Sequence, residues 1–526
     1  MSKKGWSAVG SSELESETIG AAADEEGLSL EDGGVIVVDN PDKDDGENDQ
    51  DTFLEHTGDT PHEAVEPKVP KGKYRADVDG LRAFAVLVVI VYHANESWIP
   101  SGFVGVDIFF VISGFVVAAS LQGRSGGPAV EFLSSFYARR AKRLLPHSVL
   151  AITGSAFLLA LLFPTWDTQA NVSFDTGTAA LFGGANIYLY HESVDYFMKD
   201  VAKDQFSNPF LHFWSLGAEE QYYLVYPMLV LLFRNRSVRC QIAVLTVFFF
   251  LSVFVCNHFQ SEELGTEVSG AAYFLSPPRF WELAAGAILA TWLPTDTGLG
   301  FTRFLENHSA VANALGAISG IGMVLSTVML EHDNTFPLWS GLLPVLSATL
   351  YIAVGTASCS KLNRFFELSP IVYIGKISYA LYIWHLPILA VFGMLVDPRD
   401  RSRATVATCI PFLLATFVTA DLGFRHIEMP YRATKQISDV GSMLLAICTA
   451  YTAAAYIQSM TIVRGWQPDN SVPWVLALTT LWCGYLLTLP VLVESKKQAA
   501  VRFVGLFLLA ACLQTRWKTL VGSPGH

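Results

Sequence analysis

Charge is scarce in this sequence. Asp, Glu, Lys and Arg make up 16% of its 526 residues, against 51% hydrophobic. A chain this long could hold about three average soluble domains, but the lack of charge excludes that reading. Cysteine is sparse and scattered: Cys240, Cys256, Cys359, Cys409, Cys448, Cys483 and Cys512 lie in or beside apolar runs, with no C-x-x-C pair. Zinc and thiol-redox spacings are therefore missing, so no metal is expected and no disulfide can be inferred. The first residues lack an apolar core, so no cleavable signal peptide is expected and insertion falls to the first membrane helix. Internal repeats are also missing, which disfavours a transporter built from symmetry-related halves.

The charge that is present is unevenly placed. Met1 to Glu66 holds nineteen acidic and three basic residues, so this stretch outweighs the whole net charge of -13 and leaves the remainder slightly basic. Residues 1–70, rich in Asp, Glu, Gly and Ser, cannot bury enough apolar surface to offset their ordering entropy. They read as a disordered acidic tail whose one apolar island is VIVV, Val35 to Val38. KVPKGKYR then places Lys68, Lys71, Lys73 and Arg75 just before the first apolar run. Basic residues flank the cytoplasmic ends of membrane helices, so the N-terminus is expected in the cytosol.

The rest reads as an all-α polytopic membrane protein, with about thirteen stretches near the roughly 20 apolar residues a span needs. Ten fall in a domain over 74–436. Helix 1 is expected at about Leu81 to Asn95 and helix 2 at about Phe103 to Leu121. A loop carrying FYARRAKRLLP follows, then helix 3 near Val149 to Phe163, a span to about Phe233, and six more near 241–257, 280–293, 309–330, 341–357, 372–396 and 404–423. TAALFGGANIYLY, Thr178 to Tyr190, is short and broken by glycines. If it spanned, the basic RNRSVR would lie outside, so it is read as re-entrant or interfacial. Three further spans, near 441–457, 473–493 and 501–514, occupy residues 437–526 as packing helices.

Ionisable groups inside apolar runs are costly and mark candidate sites. Arg82 and His93 bracket helix 1 with ten residues between them, roughly 16 Å along a helix axis. His93 is either an interfacial histidine satisfied by water or a general base or acyl carrier for a hydroxyl nucleophile. Asp107, Glu219 and Glu220 are the carboxylates that could orient it. The two glutamates are alternatively a helix N-terminal pair favoured by the dipole. Arg82, Arg140 and Arg143 fall on the expected cytosolic side. Some of them serve as positive-inside anchors, but guanidinium forks also match phosphate oxygens, which points to a donor such as acyl-CoA. Arg279 and Glu282 at i, i+3 read as a structural ion pair. His385, among the aromatics of YIGKISYALYIWHLP, reads as structural, and Asn171-Val-Ser173 is a weak glycosylation sequon.

Seven stretches in order resemble the acyltransferase-3 family of integral-membrane O-acyltransferases. They are DGLRAFAVLVVIVYH, GFVGVDIFFVISGF, YARRAKRLLP, HFWSLGAEEQYYLVYP, RFWELAAG, YIGKISYALYIWHLP and HIEMPYR. The resemblance covers about Tyr74 to Arg432 and implies a ten-helix core. Its members move acyl groups, usually acetyl from acetyl-CoA, onto hydroxyls of carbohydrates or lipids. The family's Arg-x10-His motif falls on Arg82 and His93, its Arg-x-x-Arg motif on Arg140 and Arg143, and its Glu-Glu-Gln motif on Glu219 and Glu220. Many bacterial members carry a hydrolase-like domain after the last helix. Here three apolar spans follow instead, so a relay through such a domain is not expected within this chain. The acidic tail also departs from the pattern. The alternative function is transport of an acyl donor or a sugar-like solute.

Overall fold

The computed structural model describes residues 29–31, 35–37, 74–122, 127–162, 168–197, 208–262, 270–330, 336–396, 406–433 and 438–464. The expected spans at 473–493 and 501–514 lie outside the described residues. In the N-terminal stretch, Ser29–Glu31 (β1) pairs antiparallel with Val35–Val37 (β2), so the apolar island supplies one strand of a short hairpin. The described body from Tyr74 onward is helical.

The first helix, α1, runs over Ala76–Ala94 and begins five residues before the apolar run. Its first turn is acidic, as the helix dipole favours, and each acid is held. Asp77 pairs with Arg75 at 2.7 Å and accepts from Asn363 at 3.0 Å. Asp79 pairs with Arg82 at 2.8 Å and accepts from the Tyr74 hydroxyl at 2.7 Å. These partners replace the water that would otherwise solvate buried carboxylates.

After a short 3₁₀ turn comes α2, Gly105–Gln122, and then α3, Ala129–Leu162. FYARRAKRLLP was expected in a loop, but it lies inside α3, which continues through Pro146. At about 1.5 Å per residue α3 is roughly 51 Å long, well beyond the 30 Å hydrocarbon core, so its basic half need not be buried in lipid. Two short helices, α4 (Thr168–Ala180) and α5 (Ala185–Phe197), meet at a turn where Gly183 takes φ +67. The stretch read as re-entrant or interfacial is this helix–turn–helix.

The remaining helices are α6 (Phe213–Phe233), α7 (Val238–Glu262), α8 (Gly270–Phe274), α9 (Phe280–Trp292), α10 (Asp296–Asn307), α11 (Ser309–Met329) and α12 (Leu342–Val354). They continue as α13 (Lys361–Phe366), α14 (Ser369–Lys376), α15 (Ser378–Val396), α16 (Val406–Gly423), α17 (Met429–Ala433) and α18 (Asp439–Arg464). One π-helical turn, Phe424–Glu428, joins α16 to α17.

Among the described residues, five helices are long and apolar enough to cross a membrane, and the bent pair α14–α15 makes a sixth. The stretches expected to span near 280–293 and 341–357 form α9 and α12, each only 13 residues long. Only 11% of the apolar window of α7 is buried, so that helix stands at the periphery with Val247, Phe250, Leu251 and Phe254 exposed. An apolar face without protein cover is what lipid contact requires. Inside, α2 and α9 pack backbone to backbone. A Cβ on Gly114 would meet the Leu283 carbonyl at 1.8 Å, and one on Gly286 would meet the Val111 carbonyl at 2.0 Å.

Candidate active site

Helix α6 sets out the site as a stripe. Ser215, Glu219 and Tyr223 recur at i, i+4 and i+8, so they share a face. They line a cavity of about 70 Å³. Helix α2 adds Phe109, Phe110 and Ser113, while α15 adds Ser378, Tyr379 and Tyr382. Arg82 enters from α1, and Arg140 and Arg143 enter from α3, where their i, i+3 spacing puts them on one side.

The basic end is organised by Glu219. Ser113 Oγ and the Tyr223 hydroxyl each donate to its carboxylate at 2.8 Å. The guanidinium of Arg140 lies over the Tyr223 ring at 5.2 Å and over Phe136 at 5.6 Å. Arg143 lies in electrostatic reach of Arg82, Arg140 and Arg432. Arg432 comes from α17 and is ion-paired with buried Glu428, which also lies 3.5 Å from His147 Nδ1. The π-helical turn, a feature common at functional sites, delivers Glu428 and Arg432 here. Four arginines thus converge near three carboxylates, Asp79, Glu219 and Glu428.

Glu220 faces elsewhere. Its carboxylate packs against Gly183, where an added Cβ would meet Oε2 at 2.4 Å. Gln221 Nε2 donates to the Gly183 carbonyl at 2.9 Å and to Asn186 Oδ1 at 2.8 Å, and Gln221 Oε1 accepts from Ser276 Oγ at 2.5 Å. In the Glu-Glu-Gln stretch, therefore, Glu219 addresses the cavity while Glu220 and Gln221 hold the α4–α5 turn.

His93 lies in the last turn of α1, half-buried, and its ring meets His385 with centroids 5.1 Å apart. His385 meets His212 at the same 5.1 Å. Both His212 and His385 are buried. Three histidines from α1, α15 and the residue before α6 form one cluster. His93 Nδ1 lies 3.0 Å from the Val89 carbonyl oxygen, and His385 Nδ1 lies 2.5 Å from that of Tyr382. A carbonyl oxygen can only accept, so in the neutral ring the proton belongs on Nδ1 and Nε2 is the basic nitrogen.

Asp107 is committed to another group. Arg279 pairs with it at 2.9 Å and with Glu282 at 3.1 Å, all three buried. Phe110, Trp214, Tyr273 and Phe336 surround the guanidinium at 5.2–5.8 Å. The i, i+3 pair expected in RFWELAAG is present, and Asp107 completes it as a buried triad. The carboxylate expected to orient His93 is not supplied by Asp107 here, and Glu219 serves the basic end.

Sequence reasoning passed over His212, Ser215, Tyr382 and Arg432 and placed His385 among structural residues. Helical spacing holds a signal for some of them: Ser215 precedes Glu219 by four residues, and Tyr382 precedes His385 by three. Among the described residues no group of three or more His, Cys, Asp or Glu side chains is disposed to hold a metal ion.

Comparison with known proteins gives a consistent result. The family model described as an acyltransferase domain, Acyl_transf_3, matches residues 75–424. The chain is 30% identical over 373 residues to the O-acetyltransferase OatA of Staphylococcus aureus, covering 69% of this chain and 58% of that protein. It is 31% identical over 375 residues to the peptidoglycan O-acetyltransferase OatA of Listeria monocytogenes, covering 68% and 56%. The chain thus spans a little over half the length of these curated relatives. No solved structure matches.

Proposed function

This chain belongs to the acyltransferase-3 family, and on that premise we propose that it is a multi-pass membrane O-acyltransferase. It moves an acyl group, acetyl in the favoured case, from cytosolic acyl-CoA to a hydroxyl of a carbohydrate or lipid. The observation that carries this reading is one cavity lined by Arg82, Arg140 and Arg143 and also by Tyr382, whose ring packs on His212 and His385. The peptidoglycan named for the Listeria relative favours a carbohydrate acceptor.

In this reading Arg82, Arg140 and Arg143 hold the donor's phosphates, because a guanidinium fork satisfies two phosphate oxygens at once. Glu219 holds Tyr223 and, through it, the face on which Arg140 rests. His93 Nε2 accepts the proton of the acceptor hydroxyl. The acceptor oxygen then bonds to the acyl carbon, the C–S bond breaks, and the proton passes from His93 to the departing thiolate. Products are the ester and the free thiol. The N-terminus and the arginine end face the cytosol, and the acceptor reaches His93 from the opposite face or from the bilayer.

Sealed membrane vesicles test both the reaction and its direction. Acetyl-CoA labelled in the acetyl group, supplied outside inverted vesicles, is expected to label a glycan or lipid fraction. Right-side-out vesicles are expected to stay unlabelled until permeabilised. Labelling in neither preparation, or uptake of intact donor without transfer, would overturn the assignment, and the second result would favour transport.

A further inference from the structure

Ser215 and Tyr382 stand where the arginine-lined cavity meets the histidines. Both line the cavity and both are buried. Their hydroxyl oxygens are 2.6 Å apart. Ser215 Oγ donates to the His212 carbonyl at 3.1 Å, and the Tyr382 hydroxyl reaches the same carbonyl at 3.1 Å. The Tyr382 ring packs on His212 with centroids 5.3 Å apart and on His385 at 5.4 Å.

The Tyr382 proton has a choice of acceptors within this pair, Ser215 Oγ or the His212 carbonyl. A hydroxyl brings one donor and two acceptor lone pairs. Two hydroxyls share a single backbone acceptor, the His212 carbonyl, apart from each other. Ser215 satisfies that carbonyl alone. The Tyr382 proton can therefore turn to a new acceptor in the cavity without leaving a buried polar group unpaired, which would be costly. The same cavity wall offers Val106, Phe109, Phe110, Val116 and Leu216 to an apolar chain. A space of about 70 Å³ suits a short one.

We propose that the Ser215–Tyr382 pair is the acyl subsite, in which the Tyr382 hydroxyl donates to the carbonyl oxygen of a short-chain thioester. This rests on reading the cavity as the donor pocket. When the acceptor oxygen bonds to the acyl carbon, the C=O π electrons move onto the carbonyl oxygen, and Tyr382 stabilises the charge formed there. When the carbonyl re-forms, the C–S bond breaks, and neither hydroxyl is altered. Ser215 is a positioning residue that fixes the Tyr382 hydroxyl.

Purified full-length protein in detergent tests this with Tyr382→Phe and Ser215→Ala. Removing one donor of this kind typically costs about 10²–10³ in kcat. Tyr382→Phe is expected to lose about a hundredfold in kcat with donor KM within about threefold. A second readout is thermal stabilisation by acetyl-CoA compared with free CoA. The wild type is expected to distinguish the two ligands, Tyr382→Phe to respond to both alike, and Ser215→Ala to lose part of the distinction. A general structural fault would not erase that difference while keeping the response to CoA. If Tyr382→Phe keeps kcat within about threefold and still distinguishes the ligands, the inference fails. If Tyr382→Phe does not accumulate, Ser215→Ala decides by the same criteria. Absence of any CoA response in wild type, or a response unchanged in Arg140→Ala, would instead overturn the donor-pocket reading.

Discussion

His93 Nδ1 lies against the carbonyl of Val89 in its own helix, a contact that in the neutral ring places the proton on Nδ1 and makes Nε2 the basic nitrogen. The arginines act differently, by shape. The Arg140 guanidinium lies over the ring of Tyr223, whose hydroxyl is held by Glu219, so the arginine has an aromatic support in the cavity wall. Lysine keeps the charge but loses the fork and the stacking. Arg140→Lys is therefore expected to raise donor KM about tenfold, or ~1.4 kcal/mol, with kcat little changed. Steady-state kinetics over donor concentration checks this, and equal loss in kcat would place Arg140 in the reaction step instead. At this scale the sequence was partly readable. Arg82, Arg140, Arg143 and Glu219 share a cavity because each motif lies on one helix and turns one face inward. His212 and His385 were not readable as neighbours of His93, because their meeting depends on how three helices, distant in sequence, are packed.

Helices in this fold are held as closely as their backbones allow. Gly114 and Gly286 face each other's helices across the α2–α9 contact, and neither has room for a Cβ. Small residues permit such approach where no hydrophobic gain drives helices together in lipid. Gly286→Val is expected to force α2 and α9 apart and displace Phe110 and Ser113 from the cavity. Fluorescence-detected size exclusion should show loss of the monodisperse peak, and a normal peak with full activity would contradict the packing argument. The helical character of these stretches was legible from apolar length. The course of α3 was not, because Pro146 and the basic run resemble a loop in sequence. Here the helix continues, and Ser148 and Tyr379 both donate to the Leu144 carbonyl in that turn. Pro146 itself has no N–H for the carbonyl of Lys142, four residues back, so the helix runs on with one backbone bond fewer. Nor does sequence spacing reveal the π-helical turn at Phe424–Glu428, which brings Glu428 and Arg432 to the basic end.

Across the whole molecule, chemistry is divided along α1. Arg82 near its start belongs to the cationic cavity, and His93 in its last turn belongs to the histidine cluster. The cavity and the Tyr382 ring bridge the distance between them. In the proposed reaction this layout would keep a charged donor on one side while its acyl group is passed toward the other. The direct test of this account is acetyl transfer by purified protein, comparing wild type with His93→Ala at equal folded amounts. Loss of a general base costs about 10²–10⁴ in rate, so the variant is expected to lose at least a hundredfold in transfer while still being stabilised by CoA. Transfer at the wild-type rate in His93→Ala would contradict the central claim that this histidine takes the acceptor's proton.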